Sequence, residues 1–137
     1  MKISQKLEYA CRAMVQLSKR VNENTVTRLD EIAQCEDVSA NFLVQIMNDL
    51  KNAEVIQSKR GKAGGYFLEK SADDITLYDI VAAVEPAMVS KMSVQTGQSA
   101  NEVAATWAEV SNRFTESLKE TTLNMLSGND NEIMFYI

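Results

Sequence analysis

Seven consecutive residues, Lys59–Gly65, contain three cations and three glycines. Cationic side chains neutralise phosphates, and glycine lets a backbone turn tightly and approach another surface closely. Because Val55–Ser58 and Tyr66–Leu68 on either side are typical of β-strands, the segment is predicted to be the tip of a β-hairpin. Arg60 and Lys62 on such a tip suit a narrow, electronegative minor groove of duplex DNA.

This cationic tip has two alternative interpretations. Nucleotide-binding loops also combine glycines with a lysine, but the spacing here is not that of a P-loop and no helix is predicted directly after it. A solvated hairpin tip that binds nothing is the second alternative. Within the DNA interpretation Arg60 is the first candidate for a contact, with Lys59 and Lys62 beside it.

Two short amphipathic segments upstream predict the helices that would position this hairpin. Thr27 is predicted to cap the first helix with Asp30 as its capping-box partner, and Ser39 is predicted to cap the second. The pair forms a helix-turn-helix pattern, in which the second helix enters the major groove of DNA. This pattern also occurs in helical bundles that bind no DNA.

The second helix offers three polar candidates for reading DNA. Phe42 and Ile46 are assigned to its packing stripe, which leaves Ser39, Asn41 and Gln45 exposed. Glutamine can pair bidentately with adenine, while asparagine and serine reach bases or phosphates. Together the helix and the hairpin predict a DNA-binding surface.

Composition excludes several other classes of function. The chain has no histidine and two cysteines, which removes the commonest general base and metal ligand and predicts no enzyme. No apolar run is long enough to span a membrane, and the first residues lack the apolar stretch of a signal peptide, so we expect a cytoplasmic protein. The net charge of −5 hides a split: residues 1–70 have 11 Lys/Arg and 9 Asp/Glu, whereas residues 71–137 have 3 and 10.

The chain resembles the Rrf-two (BadM-type) family of bacterial winged helix-turn-helix transcriptional regulators, from residue 2 to about residue 86 and again around Trp107. The most specific part of the resemblance is the Arg-Gly-x-x-Gly-Gly-Tyr sequence of the hairpin. The segments that carry it are Leu7–Ala10 with Arg12–Met14, Ser39–Leu43, Ser58–Tyr66, and Ile75–Val81 with Glu85–Pro86.

The resemblance implies a repressor that binds a palindromic operator in double-stranded DNA as a homodimer. Residues 39–52 would lie in the major groove and the wing, residues 59–65, in the minor groove. Further candidates for anchoring phosphates are Ser4, Lys6, Tyr9, Thr27 and Arg28. For Tyr9 a role in helix packing is the alternative. Winged helices also serve as protein-interaction modules without DNA binding, which is the alternative function.

The predicted fold is mainly α with a small β-hairpin wing: a winged helix-turn-helix domain over residues 1–86, a linker over 87–100, and a dimerisation helix with an apolar tail over 101–137. A helix over Asn101–Leu126 would be about 39 Å long at 1.5 Å per residue. We expect the same helix of a second chain to pack against it and cover its apolar face. The tail Ile133–Ile137 is expected to pack back on the dimer.

Regulation is the part of the prediction with open alternatives. Relatives that bind iron–sulfur clusters have three cysteines in the segment matching Ala87–Ala100, which here contains neither cysteine nor histidine. Glu8 occupies the position of a carboxylate ligand in some relatives, but one carboxylate holds no cluster. We therefore expect no cofactor. The remaining alternatives are a thiol switch of Cys35 and Cys11, with Cys11 also explained by packing, and a small-molecule or protein effector near Ala87–Ala100.

Overall fold

The computed structural model describes residues 1–21, 25–93 and 96–128. The described part is mainly helical with one antiparallel hairpin, as predicted. The elements in chain order are α1 (Gln5–Ser18), α2 (Leu29–Glu36), α3 (Ala40–Asn52), β1 (Ile56–Lys59), β2 (Gly65–Leu68), α4 (Leu77–Val84), α5 (Ala100–Glu120) and α6 (Leu123–Leu126). None of the described helices combines the length and the apolar character needed to cross a bilayer.

The core forms where α1, α3 and α4 pack together. The side-chain oxygen of Ser4 accepts a hydrogen bond from the Leu7 amide at 3.1 Å, so Ser4 is the N-cap of α1. From there Leu7, Met14 and Leu17 follow at helical spacing and are buried. Burial of this apolar stripe is what stabilises α1 against the other helices.

The predicted cap of α2 is wrong. Arg28, not Thr27, is the N-cap residue, and no side chain caps this helix. Thr27 instead pairs with Tyr66 of β2: each donates its amide to the carbonyl of the other, at 2.8 Å in both directions. The pairing extends the hairpin by a third short segment and leaves Thr27 only 3% exposed.

The turn between α2 and α3 has a left-handed residue, Asp37, with a φ of 53°. The amide of the following residue, Val38, donates a hydrogen bond to the Ala33 carbonyl at 3.0 Å, and α2 ends there. Ser39 occupies the N-cap position of α3 as predicted, although its side chain makes no capping hydrogen bond. The helix-turn-helix pattern is thus present in the structure.

The packing stripe of α3 differs from the prediction by one position. Leu43, Ile46, Met47 and Leu50 are buried, whereas Phe42 is 37% exposed. The residues at i, i+3, i+4 and i+7 starting from Leu43 form a complete helical face, so packing does not need Phe42.

The long C-terminal helix ends earlier than predicted. α5 has 21 residues and ends at Glu120, so it is about 32 Å long and not 39 Å. Thr121 is extended, its carbonyl accepts from the Leu77 amide at 2.7 Å, and the Leu123 amide donates to Ile75 at 2.7 Å. Thr122 then caps the short α6 through the Met125 amide. Pairing with the segment before α4 therefore interrupts the helix, and the tail Ile133–Ile137 lies outside the described residues.

Candidate nucleic-acid interface

The wing is a β-hairpin with two strands of four residues each, joined by a loop of five residues. Ile56 pairs with Leu68 and Lys59 with Gly65, which sets the register and leaves Arg60 to Gly64 as the loop. A hydrogen bond of 2.9 Å from the Gly64 amide to the Gly61 carbonyl closes the loop. The predicted tip is therefore formed with narrower bounds, because Lys59 and Gly65 belong to the strands, and Lys59, Arg60 and Lys62 are all exposed.

Two glycines in the wing are required by the close approach of neighbouring backbone. A Cβ on Gly64 would lie 2.3 Å from the Lys59 carbonyl oxygen, and a Cβ on Gly65 would lie 2.6 Å from the Thr27 carbonyl oxygen. Both distances are far inside van der Waals contact. Any side chain at Gly65 would thus push β2 away from Thr27 and weaken the bridge that joins the wing to the helix-turn-helix.

Arg28 gives the wing a second attachment. Its Nη1 donates to the Lys62 carbonyl at the tip at 3.1 Å, and its Nε lies 3.2 Å from the Asp30 carboxylate. The guanidinium is therefore shared between α2 and the loop. This geometry gives Arg28 a positioning role, because its donors orient the tip relative to the helix-turn-helix.

The candidate residues of α3 lie on its exposed side. Ser39, Asn41 and Gln45 are all exposed, and the first turn of the helix thus presents polar groups to solvent. Val44 lies among them and is 41% exposed. Asparagine and glutamine can read base edges, and an apolar side chain can contact a thymine methyl group.

Cations of the predicted set differ in whether they already have partners. Lys59, Arg60 and Lys62 form no ion pair with a carboxylate in the described ranges. Lys6, by contrast, binds Asp49 of α3 at 2.7 Å. The wing cations can approach phosphates without breaking an ion pair with a described carboxylate, whereas Lys6 would first have to separate from Asp49.

The remaining phosphate-anchoring candidates are engaged or buried. Besides capping α1, the Ser4 hydroxyl donates to Glu85. Tyr9 accepts a hydrogen bond from Gln5 at 2.8 Å and packs edge-on against Phe42 with ring centroids 5.6 Å apart. Thr27 is buried, so its side chain is not accessible to a phosphate in this conformation.

Phe42 is the exposed residue of this surface that the sequence prediction assigned to the core. It extends from α3, held by Tyr9, whose ring also lies 5.5 Å from the Arg12 guanidinium carbon. The signal that would have found it is the buried face beginning at Leu43, which leaves the preceding residue outside. An exposed aromatic residue beside Asn41 adds apolar contact area to the candidate interface.

The two cysteines lie in different environments. Cys35 is exposed near the end of α2, and Cys11 is half-buried on α1 against the core. Burial, together with the nearby Glu8 carboxylate, raises the pKa of the Cys11 thiol from 9.0 to about 11. Cys11 is therefore held as a neutral thiol at ordinary pH.

The sequence model of the Rrf2 family, described as an iron-dependent transcriptional regulator, matches residues 3–129. The HTH-type transcriptional regulator CymR of Bacillus subtilis is 33% identical and covers 100% of each chain. The regulator IscR of Pectobacterium carotovorum is 29% identical over 94% of this chain and 80% of its own. The solved structure of CymR, the global cysteine regulator of B. subtilis, superposes with a TM-score of 0.78 at 32% identity, covering 94% of this chain and 98% of that one.

The donor groups of this chain do not fit an iron–sulfur cluster. Such clusters need several thiolates, whereas the whole sequence has two cysteines, on different helices. Cys11 strongly favours the neutral thiol over the thiolate. Within the described ranges no three histidine, cysteine or acidic side chains are grouped so that they could hold a metal ion.

Proposed function

The chain belongs to the Rrf2 family of DNA-binding transcriptional regulators and is not an enzyme, and from this membership we propose that it is a repressor that binds a palindromic operator as a homodimer. The observation that supports DNA binding is the wing, whose cations form no ion pair with a described carboxylate and whose tip is attached through Arg28 to the start of α2. In this arrangement α3 lies in the major groove and the wing in the adjacent minor groove.

Each part of the surface has a distinct task. Arg60 enters the minor groove, where a narrow width raises the negative potential, and Lys59 and Lys62 neutralise phosphates on either side. Gln45 and Asn41 read base edges. We assign Arg28 to positioning the tip, because its donors are already bound to Lys62 and Asp30.

The dimer is supported by the apolar face of α5. Its stripe continues from the buried Leu118 to three exposed residues nearer the N-terminus, Val103, Trp107 and Val110, which are 52%, 56% and 47% exposed. A cavity of about 550 Å³, lined by apolar residues that include Phe114 of the same stripe, opens beside it. A second copy of α5 crossing the first would cover both, and two-fold symmetry of the protein would match a palindromic operator.

The setting that these relatives favour is bacterial, since CymR and IscR in the comparisons are from bacteria. A regulator of chromosomal DNA acts there in the cytoplasm.

The experiment that tests this proposal is selection of bound sequences from a random pool of duplex DNA, followed by hydroxyl-radical footprinting. We expect one enriched motif with two inverted half-sites and two protected regions on the same face of the duplex. On a promoter that contains the motif, the protein should reduce transcript formation by purified RNA polymerase. An asymmetric motif would contradict the dimeric mode, no enrichment would favour the protein-interaction module, and increased transcript would contradict repression.

A further inference from the structure

A second cavity, with a volume of about 360 Å³, opens between the end of α1 and the base of the wing. Its apolar lining includes Leu17, Val26 and the ring of Phe67, which is 40% exposed. A volume of this size lies within the range that small-molecule sites occupy in proteins. The DNA-binding surface proposed above does not account for this cavity.

Three cations share this cavity with the apolar residues. They are Arg20, Lys59 and Lys70, and no carboxylate is among the described residues that line it. Arg20 is paired with Glu31, whereas Lys59 and Lys70 have no ion pair with a described carboxylate. In a chain of net charge −5, cations gathered around one concave surface focus positive potential there.

We propose that this cavity, the wing-base cavity, binds a small organic anion: a carboxylate or phosphate ester on a compact apolar or aromatic body. Lys59 and Lys70 would bind the anionic group, and Phe67 with Val26 would pack against the body. The backbone of duplex DNA is a poorer occupant, because it offers no apolar group to cover Phe67 and Val26.

Occupancy of the wing-base cavity regulates DNA binding, an effect that rests on the proposed function. Lys59 lines the cavity and also precedes Arg60 in the wing. An anion bound to Lys59 neutralises a charge that DNA phosphates would otherwise use, so the ligand lowers the affinity for DNA. By linkage, DNA lowers the affinity for the ligand by the same factor.

Binding is tested first without DNA, by following backbone amide signals of the full ¹⁵N-labelled chain during titration with phenyl phosphate. We expect saturable shifts at Arg20, Thr25, Phe67 and Lys70, and much smaller shifts with benzyl alcohol, which lacks the charge, or with inorganic phosphate, which lacks the ring. Absence of saturable shifts, equal binding of the neutral compound, or shifts confined to another surface would overturn the proposal.

Variants then separate the wing-base cavity from the DNA surface. Lys70→Ala should weaken phenyl phosphate binding about fivefold, as expected for the loss of one partly exposed charge pair, whereas the exposed control Lys91→Ala should leave it unchanged. Equal effects of the two variants would contradict the assignment. On operator DNA from the selection, phenyl phosphate at a concentration near its wild-type Kd should weaken binding of wild type and of Lys91→Ala but much less that of Lys70→Ala.

The two proposals fail in different ways. If the protein binds no DNA sequence preferentially, the proposed function is wrong while the titration without DNA still decides the wing-base cavity. If Lys70→Ala by itself weakens DNA binding as much as Arg60→Ala does, Lys70 belongs to the DNA surface and the effector proposal is overturned.

Discussion

At the residue scale, the proposed function depends on a few cationic side chains that form no ion pair with a described carboxylate. Arg60 is exposed and has no ion pair with a described carboxylate, although the hairpin beneath it is held in place by the Thr27–Tyr66 bridge and by the hydrogen bond from Arg28 to the Lys62 carbonyl. A charge held in this way loses little conformational entropy when it binds, because the backbone that carries it is already ordered. Arg60 is therefore the wing residue that we expect to make the main contact with DNA.

Replacing Arg60 by alanine should weaken operator binding by about 1–3 kcal/mol, because the minor-groove contact is lost. Fluorescence anisotropy with labelled operator measures the change. The matched control is Arg113→Ala, which removes an exposed arginine of α5 whose partner is Glu109. If Arg60→Ala binds with unchanged affinity and unchanged sequence preference, Arg60 is not the specific wing contact.

The cysteines should differ in reactivity. Cys35 is exposed, whereas the Cys11 thiol has its pKa raised to about 11 by burial. Since the thiolate is the nucleophile, we expect iodoacetamide at pH 8 to alkylate Cys35 at least about tenfold faster than Cys11. Peptide mass spectrometry over a time course gives both rates, and in urea the difference should disappear. Faster labelling of Cys11 in the folded protein would contradict the buried environment.

The raised pKa of Cys11 also has a consequence for stability. Because the folded-state pKa lies above the ordinary 9.0, the stability that the neutral Cys11 thiol contributes is complete below pH 9 and is lost as pH rises through about 11. In urea titrations, the free energies of unfolding of wild type and Cys11→Ala should therefore have the same pH dependence below pH 9. Above pH 9 the value for wild type should fall relative to that of the variant. A separation that appears only below pH 8 would contradict burial of the thiol.

At the element scale, the wing and the helix-turn-helix form one unit through backbone pairing. The Thr27–Tyr66 bridge joins the start of α2 to β2, and Gly65 makes that approach possible. The wing cations are thereby fixed relative to α3. Positioning of this kind is what allows one protein to contact adjacent grooves of DNA at the same time.

Gly65→Ala should break this unit. The added Cβ meets the Thr27 carbonyl at 2.6 Å, so we expect a loss of about 1–3 kcal/mol of stability and weaker DNA binding. Hydrogen exchange of the Thr27 and Tyr66 amides should become faster. In Gly61→Ala the Cβ enters open space, so only the cost of its positive φ remains and these two amides should keep their protection. Equal exchange in the two variants would show that Gly65 is not needed for the bridge.

The sequence predicted elements better than it predicted contacts between them. The wing was found because glycines, cations and flanking β-branched or aromatic residues act locally, and the cap position of Ser39 was found for the same reason. Thr27 was misassigned because its role depends on pairing with Tyr66, which is distant in sequence. The end of α5 was missed because pairing of Thr121 with Leu77, not a helix-breaking residue, ends it.

At the scale of the whole molecule, charge and exposed apolar surface are separated along the chain. The cations concentrate in the N-terminal half with the wing, and the acidic half contains α5, whose Trp107 is 56% exposed. Large apolar side chains exposed in a row on one helix mark an interaction surface. This distribution supports the proposal that one part of the molecule binds DNA and another part associates with a second copy.

Trp107→Glu should convert the proposed dimer to a monomer, because it places a charge in the centre of the apolar face. Light scattering after size exclusion should give about twice 15.3 kDa for wild type and about 15.3 kDa for the variant. Asn112→Glu, which adds the same charge to an exposed position on the other side of α5, should remain dimeric. A dimeric Trp107→Glu, or a monomeric wild type, would contradict self-association through this face.

The most direct test of sequence-specific DNA binding is fluorescence anisotropy with duplex DNA from upstream of the protein's own gene, compared with a scrambled duplex over a series of salt concentrations. We predict that the native fragment binds at least about a thousandfold more tightly, and that both affinities fall steeply with salt as phosphate contacts release counterions. If neither the native fragment nor the operator obtained by selection binds more tightly than a scrambled duplex, or if none of them binds at low salt, the central claim is contradicted.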